Sequence, residues 1–188
     1  MKKVLVLLAD GFEEVEALSV VDVLRRGNID CKMCSIEDEY VRGTHDIIVK
    51  SDCNIKEIDY KDYDAVVLPG GLPGAENLKA DCVKELITKM NENKKIISAI
   101  CASPEILEYF NILEGKKCTS YPGFIQNKEK VNYVEDETVV IDDNIITSRG
   151  PATALAFALT ILGELGCINE VEDIKEGMLV NFYNKFAK

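Results

Sequence analysis

The sequence lacks any early apolar run of bilayer length: Val4–Ala9 stops at Asp10, far short of the ~20 residues that span a membrane. No small-residue cleavage site follows it, so neither a secretory leader nor a membrane partner is expected, and the expected location is the cytoplasm. Positive charge is also scarce. Against 33 Asp and Glu there are 22 Lys and Arg, for a formal net charge of −11, and the basic residues form no long block. A phosphate-backbone binder needs the opposite sign, which makes nucleic acid a poor primary partner. Histidine is nearly absent, with His45 alone, and no second C-x-x-C pair exists to complete a zinc site. Neither a metal nor an organic cofactor is expected.

What is present suits one ordinary domain over residues 1–188. The hydrophobic share is 47% and the charged share 29%, near globular averages. Seven cysteines, an odd number scattered along the chain, argue for reduced thiols rather than a disulfide frame. Cys31 and Cys34 have C-x-x-C spacing but lie in a segment, Ile29–Ile36, that reads as a strand. Residues three apart on a strand point to opposite faces, so core packing is expected rather than chelation or a redox pair.

Short apolar runs alternate with helical patterns. Val4–Ala9, Ile29–Ile36, Asp64–Leu68 and Lys95–Ile100 read as strands, nearly continuous in apolar residues where buried on both faces. Glu13–Arg26 is helical, with a stripe at Ala17, Val20, Val21 and Leu24 widened by Val15, Leu18 and Val23, and Gly27 as its stop. Asp81 is expected to cap a helix over Cys82–Asn91. Val41–Val49 reads as a hairpin around Gly43. Thr138–Ile141 and Asn144–Thr147 form another around Asp142-Asp143. Pro151 opens a helix striped by Leu155, Ala158, Leu159, Leu162 and Leu165, with Phe157 and Ile161 off the stripe, so that it is buried on two sides. The alternation predicts an α/β fold, a parallel sheet with helices on both faces. In such sheets ligands bind beyond the carboxyl ends of the strands. Four unusual turns fall there: Asp10-Gly11, Gly70-Gly71, Cys101-Ala102 and Ser148-Arg149-Gly150.

Cys101 carries the strongest chemical signal. It sits between a buried strand and a helix, with the small residues Ala99 and Ser103 two positions to either side. That is the steric pattern of a nucleophile elbow. Amides of the following helix, with Gly71, would favour a thiolate and stabilise an oxyanion. No histidine follows Cys101, and a Cys-His dyad with His45 is not evident. Glu13, Glu14 and Glu16 cluster near the first loop, where a carboxyl held in an apolar pocket could stay protonated beside the sulfur. Periodicity does not choose among the three.

The segments Ala9–Glu16, Leu68-Pro69-Gly70-Gly71, Ala99-Ile100-Cys101-Ala102 and Thr147–Pro151, in this order, resemble the ThiJ/PfpI superfamily, in particular its Parkinson-disease-associated deglycase/YajL-like branch. The resemblance implies a flavodoxin-like fold, with Glu16 as the buried carboxyl beside the nucleophile Cys101 and Gly71 and Ala102 as oxyanion amides. Gly70, Tyr121 and Arg149 fall at possible pocket positions. It also implies a homodimer with the first helix, including Asp22, Arg25 and Arg26, near the interface. Two departures from the family pattern stand out. Tyr121 occupies a position where the branch often has histidine, and a phenol is a poor base near neutral pH. Ala102 replaces the histidine that follows the cysteine in the protease branch, which disfavours peptidase activity. The expected activity is cysteine-dependent glyoxalase or deglycase chemistry on small dicarbonyls or glycated amines. The alternative is a redox-responsive protective or chaperone-like protein that senses peroxide through Cys101.

Overall fold

A computed structural model of the protein describes residues 1–186. Its strands and helices, in chain order, are β1 (Lys3–Leu8), α1 (Glu14–Arg26), β2 (Asp30–Ser35), β3 (Tyr40–Arg42), β4 (Ile48–Lys50), β5 (Cys53–Asn54), β6 (Ala65–Leu68), α2 (Gly74–Asn77), α3 (Asp81–Glu92), β7 (Ile96–Ile100), α4 (Pro104–Tyr109), β8 (Lys117–Cys118), β9 (Asn132–Tyr133), β10 (Val139–Asp142), β11 (Ile145–Ser148), α5 (Ala154–Glu164), α6 (Ile168–Gly177) and α7 (Val180–Phe186). Seven strands form the main sheet in the order β10-β11-β7-β6-β1-β2-β5. All neighbours in it pair parallel except the β10–β11 hairpin. This is the flavodoxin-like α/β sheet expected from the alternating pattern.

Period-two alternation divides the core between the two faces of this sheet. On β1, Leu5 and Leu7 pack with Val83, Leu86, Ile87 and Met90 of α3. Val4, Val6 and Leu8 point the other way, toward α1 and α5. The C-x-x-C pair obeys the same rule: Cys34 lies in the first core and Cys31 in the second. From β1 the chain moves outward to β2 and β5, then crosses back to β6 on the other side of β1. The sheet therefore has its switch point between β1 and β6, the place where open α/β sheets make their ligand crevice.

Several local expectations are corrected. Val15 is exposed and Leu18 half-buried, so the buried stripe of α1 is narrower than its apolar content suggests. Gly27 ends α1 at a negative φ of −80°, so its small size rather than a left-handed turn matters. A Cβ there would lie 2.6 Å from Leu162 Cδ1 of α5. Asp81 is the first residue of α3, whose N-cap is Ala80 and receives no side-chain cap. In the β10–β11 hairpin Asp142 pairs with Ile145, so the turn is Asp143-Asn144, one residue later than expected, with Asp143 at φ 56°. Pro151 opens a short 3-10 turn, and the α-helix begins at Ala154. Phe157 and Ile161 are fully buried, as the off-stripe reading of that helix requires. Among the described residues no helix is long and apolar enough to cross a membrane.

Candidate active site

The four turns meet on one rim. Glu13 N donates to Gly70 O at 2.8 Å, Gly74 N to Gly11 O at 3.1 Å and Cys101 N to Ser148 O at 3.1 Å. Cys101 stands at φ +63°, a left-handed conformation that costs a non-glycine residue about 1–3 kcal/mol. Its backbone is held on both sides, since its carbonyl also accepts Tyr121 N at 2.8 Å. Ser103, buried at the start of α4, donates from Oγ to Pro69 O at 2.5 Å and ties the turn to the end of β6. Small size at this position was legible in the sequence; its partner across the sheet was not.

Glu16 lies in the first turn of α1 and is fully buried. Gly70 N donates to its Oε2 at 2.7 Å, while Oε1 has no conventional hydrogen-bond partner. The carboxyl instead interacts with the Cys101 thiol. Burial pushes Glu16 up to about 7, against the lowering influence of the Gly70 amide and the thiol. The contact tolerates no extra atom. A Cβ on Gly70 would lie 2.7 Å from Cys101 Cβ and 2.8 Å from Glu16 Oε2. Gly71 has φ +92°, and a Cβ there would meet Glu13 N and Gly11 O at 2.4 Å. Its amide and that of Ala102 both favour the ionised form of the Cys101 sulfur.

The influences on this sulfur oppose one another. Burial, then the charge of Glu16, then the hydrogen bond to it push the Cys101 thiol up to about 12, although the Ala102 and Gly71 amides lower it. The resting site holds two acids and no cation in contact with the sulfur, so it retains a proton that belongs to the pair. Two of the three causes that keep this proton on sulfur are the Glu16 carboxylate itself. Both vanish when Glu16 is the protonated partner, leaving burial opposed by two amides. A neutral Glu16 therefore favours ionisation of the thiol.

The other acidic candidates serve a different structure. Glu14 is almost fully buried; its Oε1 accepts the backbone amides of His45 at 2.7 Å and Ile47 at 3.4 Å, and its Oε2 lies 2.9 Å from His45 Nδ1. Burial pushes this carboxyl up, but the imidazole and the amides outweigh it and the net direction is down. Glu13 Oε2 is 3.7 Å from His45 Nδ1, and its charge reaches Glu16. Glu13, Glu14 and His45 are also the one group among the described residues whose metal-ligating atoms lie within 4.8 Å of one another. Both oxygens of Glu14 are already committed to amides and imidazole, which gives this trio no advantage as a cation site.

Tyr121 is tied to Cys101 by its backbone, but its side chain is half-exposed, with its ring beside Gly150. The Arg149 guanidinium binds Thr119 Oγ1 at 3.0 Å and Val134 O at 3.4 Å, and so braces the segment that carries Tyr121. Elsewhere, a groove of about 720 Å³ beside α5 is lined by Leu155, Leu159, Met178 and Tyr183 among others, and by none of the residues above.

The DJ-1/PfpI family profile matches residues 2–164. The chain belongs to that family. It is 38% identical over 184 residues to the protein dj-1beta of Drosophila melanogaster, covering 96% of this chain and 98% of that one. A relative in Pyrococcus horikoshii that is named a deglycase is 35% identical over 158 residues, covering 82% of this chain and 94% of its own. Among solved structures, oxidized Toxoplasma gondii DJ-1 superposes with a TM-score of 0.89 at 33% identity, covering 95% of this chain and 98% of that one. The matched DJ-1/PfpI region contains all four rim turns. The part of the site that motif spacing could not reveal is the seat of His45, because it depends on a hairpin tip reaching back 31 residues to Glu14.

Proposed function

We propose that the protein is a cysteine-dependent enzyme of the glyoxalase or deglycase type, acting on small dicarbonyls or their amine adducts through Cys101. The observation that carries this reading is a fully buried Glu16, its Oε1 without a hydrogen-bond partner, lying with Cys101 against the same face of Gly70. Membership of a family with deglycase-named relatives supports it.

In this reading Glu16 takes the thiol proton as the sulfur adds to the aldehyde carbon of a glyoxal-type substrate. It returns that proton to the carbonyl oxygen, forming a hemithioacetal. The Gly71 and Ala102 amides stabilise the negative charge, first on sulfur and then on the neighbouring oxygen. Glu16, again a carboxylate, moves the proton from the former aldehyde carbon to the adjacent carbon while the hemithioacetal hydroxyl proton passes to the adjacent oxygen, which leaves a 2-hydroxy thioester. Water cleaves the thioester, releasing a 2-hydroxy acid and restoring the thiol. The sum is one dicarbonyl plus one water giving one hydroxy acid, with no cofactor. A carboxyl titrating near neutrality suits both proton transfers. The proposal includes a homodimer and a cytoplasmic setting.

Steady-state turnover of methylglyoxal tests the assignment. A Cys101→Ala variant should lose at least about a thousandfold in kcat/KM, the scale for deleting a nucleophile. Activity equal to wild type would remove Cys101 from the chemistry. A second reading, peroxide sensing at Cys101, is favoured by the oxidized state named for the Toxoplasma gondii relative. Selective oxidation of Cys101 without any dicarbonyl turnover would favour it over the enzyme.

A further inference from the structure

Strands β2 and β5 pair parallel in a register that sets Cys34 directly opposite Cys53. Paired strands run about 4.8 Å apart, inside the Cα separation of roughly 4.4–6.8 Å that a disulfide bridges. Both side chains face the same side of the sheet: Cys34 is in the core beneath α3, and Cys53 packs against that core. Cys34 Sγ donates to Ser35 O at 3.8 Å and Cys53 Sγ to Met33 O at 4.0 Å, and each thiol shifts the titration of the other. Cys34 is sealed from solvent, whereas Cys53 is half-buried and can meet a small oxidant.

We propose that Cys34 and Cys53 form a second oxidation site, independent of Cys101, that hydroperoxides convert to an intrachain disulfide. The Cys53 sulfur cleaves the O–O bond of hydrogen peroxide and becomes a sulfenic acid, with one water released. The Cys34 sulfur then attacks the sulfenyl sulfur. The S–S bond forms, the S–O bond breaks, and hydroxide leaves with the Cys34 proton as a second water. Two thiols surrender two electrons and one peroxide accepts them. A dithiol reductant reverses the step by attacking the half-buried Cys53 sulfur.

The pair differs in kind from the rim cysteine. The groups acting on Cys101 are a carboxyl and two amides, whereas at β5 two cysteines stand opposite one another. At β5, burial raises both thiols, most strongly Cys34, so closure is slow at neutral pH and quickens as pH rises. The bridge would close residues 34–53 at their base. That loop carries the β3–β4 hairpin, whose tip seats on Glu14, so oxidation would fasten an element bordering the rim.

The test uses the full chain treated with hydrogen peroxide, denatured with N-ethylmaleimide, digested without reductant and analysed by mass spectrometry. The expected product is a linked Cys34–Cys53 peptide that disappears with dithiothreitol, persists in Cys101→Ser and is absent in Cys53→Ala. The Cys53 change sits at a half-buried edge, so loss of fold does not confuse the readout. Full alkylation of Cys34 and Cys53 after Cys101 is completely oxidised would overturn the proposal. So would Cys53 recovered as sulfinic acid or linked to Cys82.

Discussion

Glu14 and Glu16 stand two residues apart on one helix, both nearly or wholly inaccessible to water, and they titrate in opposite directions. Glu14 gathers two backbone amides and an imidazole and falls below its ordinary 4.5. Glu16 receives one amide, faces another acid and rises to about 7. Burial raises both; the number of donors decides which carboxyl can hold a proton. One therefore fastens a hairpin, while its neighbour is left with an unsatisfied oxygen. The under-served carboxylate is the one suited to chemistry.

The comparison breaks most sharply at Glu16. Glu16→Gln should lower kcat/KM for methylglyoxal by roughly 10²–10⁴-fold, the usual contribution of a positioned acid-base group, and should erase the inflection near pH 7 expected of wild type. The same change should stabilise the fold. A carboxyl at about 7 when folded and 4.5 when unfolded binds more protons in the native state between those values, so its contribution is lost as pH rises through that window. At pH 7 a neutral replacement should recover up to about 3 kcal/mol, read as a higher denaturant midpoint. A destabilised Glu16→Gln protein would mean that Glu16 is a structural acceptor rather than a strained acid.

Glu14 should behave in reverse. Glu14→Gln weakens a charged acceptor for buried amides and should cost about 1–3 kcal/mol, with methylglyoxal turnover changed only a few-fold. Because its folded value is depressed, the Glu14 contribution is present above 4.5 and lost as pH falls through the lowered folded value. His45→Ala should have the smallest effect. The hydrogen bond to Glu14 and the charge of Glu13 raise the imidazole above 6.5, so its contribution is full below 6.5 and lost as pH climbs through the raised value. In a Glu16→Gln background, His45→Ala should flatten the alkaline side of the stability–pH curve. An unchanged slope would show that the imidazole is not coupled to folding.

The central strands were readable because each is buried on both faces and stops at a turn of unusual composition, as at Pro69-Gly70-Gly71 and Cys101-Ala102. The opposite orientations of Cys31 and Cys34 followed from period two alone. Strand β5 was missed, since two residues carry no periodicity. Helices α6 and α7 were missed because their large apolar residues, including Ile168, Phe182 and Tyr183, are exposed and define no clean buried stripe. At the rim, spacing pointed to three neighbouring glutamates and could not rank them. The ranking lies in donors supplied from Gly70 on one side and His45 on the other, both distant in the chain. The balance of influences on Cys101 was hidden for a related reason: strand–turn–helix context announces the amides, but only packing shows that a carboxyl acts on the same sulfur.

Helix α1 holds Glu14 and Glu16 at one end and rests against α5 through Gly27 at the other. That far end admits a hydrogen where even a methyl would press on Leu162. At 1.5 Å per residue the fulcrum lies roughly 16 Å from Glu16, so a small added bulk there works as a lever on the aim of the carboxyl. A Gly27→Ala change would thus be felt at the rim through a residue that touches neither Glu16 nor Cys101.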